Sequence, residues 1–168
     1  MADNTVQRGQ TMNVEAARVL NAPVEQVWKA WSEPEYVKQW WGPTGFTSPS
    51  AEIDFRVGGT SLVCMRAPIE VGGQEMYNTW TYRTIESYQK IEFLLHFSDQ
   101  HRNPLNPAHI GMEPGIPNGV RHVITFTRME DNQTFMTVTE YGYTTQQARD
   151  LSKAGLEQCL DKMEAMYR

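Results

Sequence analysis

The sequence predicts an α+β fold of the helix-grip kind: a curved antiparallel sheet wrapped around a long C-terminal helix, with two short helices after the first strand. Three observations carry this. A tryptophan-rich stretch from Asn21 to Gly42 has helical spacing. The middle of the chain is a series of aromatic and β-branched runs separated by turn residues. From Thr144 onward the apolar period lengthens to that of one long helix. A helix of that kind after an antiparallel sheet has one economical place to bury its stripe, the sheet's concave face.

Residues 12–20 (MNVEAARVL) come first, with Val14 and Ala16 alternating against Glu15 as a half-buried strand does. In the helix pair, Val24, Val27, Trp28 and Trp31 fall at i, i+3, i+4 and i+7 and make one apolar stripe. Pro23 suits the first turn, where a missing N–H costs no helical hydrogen bond. Ser32 followed by Glu35 has capping-box spacing and announces the second helix. Val37, Trp40 and Trp41 are its apolar edge, and Gly42-Pro43 stops it. Four of the five tryptophans lie in this stretch. Each indole buries about 150–250 Å², so helices this short are stable only against a larger receiving surface. Trp28 and Trp31 are expected in the core. Trp40 and Trp41, being adjacent, cannot both face inward, and one of them is expected at a cavity entrance or in an exposed patch.

The sheet is assigned next. Ile53 and Phe55 alternate around Asp54 and close on Gly58-Gly59, a hairpin turn between extended runs. Residues 60–68 give the next strand and residues 71–74 (VGGQ) the next turn. Residues 75–86 put Met76, Trp80 and Tyr82 on one face and Tyr77, Thr79, Thr81 and Ile85 on the other. Residues 90–97 put Ile91, Phe93, Leu95 and Phe97 on one side. Runs at 120–129 and 133–143 are joined by the polar turn Glu130-Asp131-Asn132. From Thr144, with Gln147 as a second capping box, Ala148, Leu151, Cys159, Leu160, Met163 and Tyr167 recur at helical spacing. Gly155 sits inside that pattern and is expected to mark a close approach to the sheet. Residues 98–119 hold four of the nine prolines and no periodicity. Two readings stay open for them, a lid or binding element and a solvent-exposed insertion.

At 168 residues the chain has the length of one domain, expected over 12–168 behind a disordered tail at 1–11. A chain of this size buries about 70% of its unfolded surface and can hold a core with room for a cavity. A net charge of −5 without a basic cluster argues against nucleic acid or anionic lipid as partner. The polar N-terminus lacks the apolar stretch of a targeting signal, and no run approaches the roughly 18 apolar residues of a membrane span. Cys64 and Cys159 are expected as free thiols in a cytoplasmic setting.

The chemistry is sparse. His96, His101, His109 and His122 show neither a two-His helical spacing nor a neighbouring cysteine pair, so no metal and no cofactor is expected. No G-x-S-x-G elbow exists, and Gly58-Gly59 and Gly72-Gly73 lack the flanks of a phosphate loop. No catalytic residue is assigned. Asp54 and Arg56 share a strand face and read first as a surface ion pair and second as a polar feature of the cavity mouth. Glu140 falls on the face of Met136 and Val138, which sets a carboxylate among apolar groups. Arg18, between Ala16 and Leu20, carries the same ambiguity between surface and interior.

The order APVEQVWKAWSEPEYVKQWWGP, then IDFRVGG at 53–59, the aromatic strand around Trp80 and EQCLDKM at 157–163 resembles the activator of Hsp90 ATPase homologue family. That family sits in the START-like, Bet v 1-like (SRPBCC) superfamily, and the resemblance runs over about residues 14–166. It implies a helix-grip fold with a cavity between sheet and long helix, and does not imply one activity. The extra N-terminal domain of the family's cochaperones has no counterpart here, so a stand-alone member is expected. The function expected is binding, without chemistry, of a small hydrophobic or aromatic molecule in that cavity. Its apolar lining is expected from Trp80, Tyr82, Phe93, Leu95, Phe126, Tyr141 and Met163, and its polar groups from His96, His122, Glu140 and Cys159. Two alternatives stand beside it. One is a cochaperone-like module with a chaperone as partner; the other is a cyclase- or hydrolase-like enzyme with Glu140 or a cavity histidine as general base. A homodimer is left open.

Overall fold

A tyrosine-, tryptophan- and valine-rich chain of this pattern folds as one antiparallel sheet and three α-helices. In the computed structural model, which describes residues 10–168, β1 (Met12–Leu20) leads into α1 (Val24–Ser32) and α2 (Pro34–Trp40). There follow β2 (Ala51–Glu52), β3 (Thr60–Arg66), β4 (Glu75–Glu86), β5 (Lys90–Ser98), β6 (Pro104–Leu105), β7 (Val120–Arg128), β8 (Thr134–Tyr143) and α3 (Gln146–Ala165). The tail expected at 1–11 falls, apart from its last two residues, outside the described residues. The sheet runs β1-β8-β7-β5-β4-β3-β2, with β6 pairing β5. The first strand therefore pairs with the last, Ala16 opposite Val138. α3 leaves β8 after two residues and crosses back over the sheet against β1, β8 and α2.

Local chemistry explains the boundaries, including those the sequence reading placed wrongly. The β7–β8 turn needs two consecutive left-handed residues, and Asp131 (φ 60°) and Asn132 (φ 56°) supply them. The capping box at Ser32 does not form. One residue, Glu33, separates α1 from α2, so Pro34 opens α2 and the Ser32 hydroxyl instead donates to the Trp28 carbonyl at 3.0 Å. The α3 cap is Thr145, one residue later than expected, its Oγ1 accepting from the Ala148 N–H at 3.1 Å. Ile53 and Phe55 lie beyond β2, which stops at Glu52. Asp54 and Arg56 pair at 2.9 Å on the exposed surface. Leu151 is 55% exposed; the apolar stripe of α3 passes instead through Ala148, Leu156, Cys159, Leu160 and Met163.

Two devices lock the layers together. Under α1 and α2 the sheet meets a solid aromatic block, in which Trp80 stacks on Phe93 (centroids 4.7 Å, 15°) and Trp31 packs on Trp40 at 4.6 Å. The Trp40 Nε1–H donates to the Ala30 carbonyl at 2.7 Å, so this buried indole keeps its hydrogen bond. Each such ring pair contributes about 0.5–1.5 kcal/mol beyond the area it buries. At the sheet's β1 edge, Arg18 reaches α3 and donates to Glu157 (2.5 Å), Asp161 (2.8 Å) and Glu164 (2.8 Å). That contact settles the position of Arg18: its side chain is largely covered and fastens β1 to the last three turns of the helix. Among the described residues no helix is long and apolar enough to cross a membrane.

Candidate functional site

Between α3 and the sheet the packing stops short and leaves a cavity of about 190 Å³. The helix presents Ser152, Gly155, Leu156 and Cys159 to it, at i, i+3, i+4 and i+7, one face of two turns. Small residues dominate that face. Gly155 has no atom within 4 Å of where a Cβ would stand, so the expected close approach to the sheet is absent and the glycine instead borders open space. From the sheet come Asn78, Leu95, Phe97, Val120, His122 and Glu140, and from the α2 end Trp31, Trp40 and Trp41.

The Pro-rich segment completes the wall. Met112 and Ile116, both half-buried, line the cavity, and the segment is tied to the start of α3 by Thr144 N–H to the Gly115 carbonyl (2.9 Å) and the Thr145 hydroxyl to the Pro114 carbonyl (3.0 Å). Gly115 has φ 106°, and a Cβ there would meet Thr145 Oγ1 at 2.3 Å. The segment is thus a covering element held at its middle, not a free insertion.

Besides Asn78 and Ser152, a cluster of titratable side chains interrupts the apolar wall. Glu140 on β8 faces His122 on β7 directly across the ladder, and both are buried. Glu140 Oε2 lies 3.4 Å from His122 Nε2, and the Tyr143 hydroxyl donates to Glu140 Oε1 at 2.6 Å. His122 Nδ1 stands 3.0 Å from the Val120 carbonyl, and its ring stacks on Phe93 (4.8 Å, 15°). Residues 140 and 143 would ordinarily point to opposite faces of a strand. A register shift opposite Met12–Val14, with Gly142 at φ 103°, turns Tyr143 back onto the cavity side. Burial, with the Glu140 charge adding to it, holds the Tyr143 phenol well above its ordinary value. Burial also pushes the Cys159 thiol up to about 11, so it is a neutral thiol at physiological pH.

The structure sorts the residues singled out from the sequence into three groups. Leu95, His122, Glu140 and Cys159 stand on the cavity wall. Trp80, Tyr82, Phe93, Phe126 and Met163 face the same side but are consumed in the close-packed core: Trp80 sits against Trp31, Trp41 and Phe93, and Tyr82 hydrogen-bonds Ser61 at 2.8 Å. His96 and Tyr141 lie on the sheet's other face, Tyr141 beneath the Arg121 guanidinium at 4.6 Å. Of the adjacent tryptophans, Trp40 is fully buried and Trp41 half-buried at the cavity edge, with its Nε1 unpartnered among the described residues. Reading the sequence missed Tyr143, Asn78, Gly155 and the two loop residues. A glycine inside a strand run, Gly142, was the available signal for the bulge that aims Tyr143. Among the described residues no three His, Cys, Asp or Glu side chains come together as metal ligands.

A sheet gripping a helix around a small apolar chamber defines a START-like domain. The chain belongs to the family described as Activator of Hsp90 ATPase homolog 1-like protein, whose family model matches residues 21–168. No curated protein matches it. Among solved structures it is similar to the AHSA1 protein of Silicibacter pomeroyi, with 15% identity, 92% of this chain and 96% of that chain covered, and a TM-score of 0.72. A Mycobacterium smegmatis protein shares 20% identity over 93% of this chain and 90% of its own, with a TM-score of 0.71. An Arthrobacter aurescens protein shares 22% over 91% and 84%, also at 0.71. Identities at this level establish the shared fold alone.

Proposed function

We propose that this protein binds a small apolar or aromatic molecule between α3 and the sheet, and releases it unchanged, as a single domain over residues 12–168. The observation that supports this is the cavity of about 190 Å³, walled mainly by tryptophan, leucine, valine, phenylalanine and methionine. Binding sites of small molecules are concave and apolar with a few polar groups. Apolar cavities of about 150 Å³ hold a benzene ring, so this one suits a single substituted ring. Two unpaired, buried cysteines fit a reducing, cytoplasmic setting. Family membership alone would also suit a chaperone partner, and stimulation of a chaperone ATPase by saturating protein is the measurement that would favour it.

Trp31, Trp40 and Trp41 border the cavity, so occupancy changes tryptophan emission. The test is a fluorescence titration with a panel of ring-sized apolar molecules. Saturable quenching by some of them is the expected result. A flat response to the whole panel would remove the reading.

A further inference from the structure

Resting on that reading, we infer that the ligand presents a neutral hydrogen-bond donor, a hydroxyl or ring N–H, to Glu140. The argument is a proton count. The Val120 carbonyl only accepts, so His122 Nδ1, 3.0 Å away, carries a proton. Nε2 then faces Glu140 Oε2 at 3.4 Å. A bare nitrogen lone pair opposite a carboxylate oxygen would be repulsive, so a second proton lies between them, on one or the other. The pair is imidazolium with carboxylate or imidazole with carboxylic acid. Either way it carries no net charge.

Tyr143 adds a third proton, spent on Glu140 Oε1 at 2.6 Å. Glu140, His122 and Tyr143 are 7%, 6% and 3% exposed, so what the protein leaves open is met from the cavity. Every donor of the trio is already engaged, His122 Nδ1–H on the Val120 carbonyl and the other two protons within the trio. What remains toward the cavity is acceptor capacity, because a carboxyl group has about four lone-pair positions and two are used. An ionised ligand group would be buried here against a neutral trio, without a counter-charge. At the trio itself a ligand acceptor would find no free proton. A neutral O–H or N–H fits both conditions, and the apolar remainder of the ring fits the remaining walls. A phenol or an indole is the simplest molecule of this class.

The test uses four probes of one size: p-cresol, p-xylene, 4-methylanisole and p-toluate, titrated into wild type and Glu140→Gln by tryptophan fluorescence. The amide keeps the local bonding, its oxygen accepting from Tyr143 and its NH₂ donating to His122 Nε2, so the variant is expected to melt near wild type. The amide nitrogen takes the place of Oε2 and turns an N–H where a lone pair faced the cavity, so the p-cresol to p-xylene affinity ratio is expected to fall about tenfold in the variant, whichever partner holds the shared proton. The methyl ether ratio stays unchanged. In wild type alone, p-toluate is expected to bind weakest of the four, which holds even should the variant not fold. Equal p-cresol to p-xylene ratios in the two proteins, or p-toluate binding best in wild type, would overturn the inference while leaving an apolar site intact. Binding of none of the four would overturn the inference and the site together.

Discussion

The two ends of the concave face are built from similar residues and end in opposite states. Under α1 and α2 the rings of Trp31, Trp40, Trp80 and Phe93 interlock with centroids 4.6–6.5 Å apart. Under the first half of α3 the sheet offers Leu95, Phe97 and Val120, yet a cavity remains. The difference lies in what faces them. The helix pair brings indoles, whereas α3 brings Ser152, Gly155 and Cys159, and the helix is kept from sinking by tethers at both ends. Arg18 holds its C-terminal turns, and Thr144 and Thr145 hold its start to the 98–119 segment. The void is therefore a consequence of small residues on a helix that is not free to collapse.

Breaking the solid end has the largest expected effect. Trp80→Ala removes a fully buried ring from the block and should cost about 3–5 kcal/mol in denaturant unfolding, whereas Trp41→Ala, at the cavity edge, should cost clearly less. Equal losses would erase the contrast between the two ends. Next comes the tether. Arg18→Met leaves Glu157, Asp161 and Glu164 facing each other without their common donor, and since those carboxylates are substantially exposed, the expected loss is about 1–2 kcal/mol, reduced by added salt.

Gly155→Ala should act in the other direction. It replaces a helix-interior glycine with the best helix former, into open space, and is expected to stabilise by up to about 1 kcal/mol. Destabilisation would mean that the space is not there.

A further effect is on pH dependence. The unfolded chain releases the Cys159 proton near its ordinary value of 9.0, while the folded protein keeps it to about 11. Over that window the native state binds more protons than the unfolded one, so stability falls as pH rises. Thermal melts at pH 8 and pH 10.5 should show a drop that is smaller in Cys159→Ala; Cys64, also raised by burial, and the buried tyrosines account for the remainder.

The fold was legible because each element announces itself by period and punctuation. β1 runs over residues 12–20 as its alternation indicates, and the Asp131-Asn132 turn sits where its residue types allow left-handed backbone. What misled was local grammar without room to operate: the Ser32–Glu35 spacing is right for a cap, but a one-residue connection beginning with proline leaves no place for one. The site was less legible. Alternation states which side of the sheet Trp80, Phe93 and Leu95 face, and all three face inward. Whether a given inward residue meets a partner or a void depends on the volumes opposite it, which lie elsewhere in the chain. Gly155 reads the same whether the space beside it is filled by sheet or empty. Tyr143 was hidden by a single inserted residue that changes which face it takes.

The most direct test of the central claim is to locate a ligand. Crystals of wild type and Gly155→Phe, soaked with an iodinated phenol, would show by anomalous scattering where the iodine sits. The account predicts one peak in wild type among Gly155, Leu95, Val120 and Trp41, and none at that place in the variant, whose ring would occupy the space. A peak that persists in the variant, or iodine bound only on the outer surface, would contradict it.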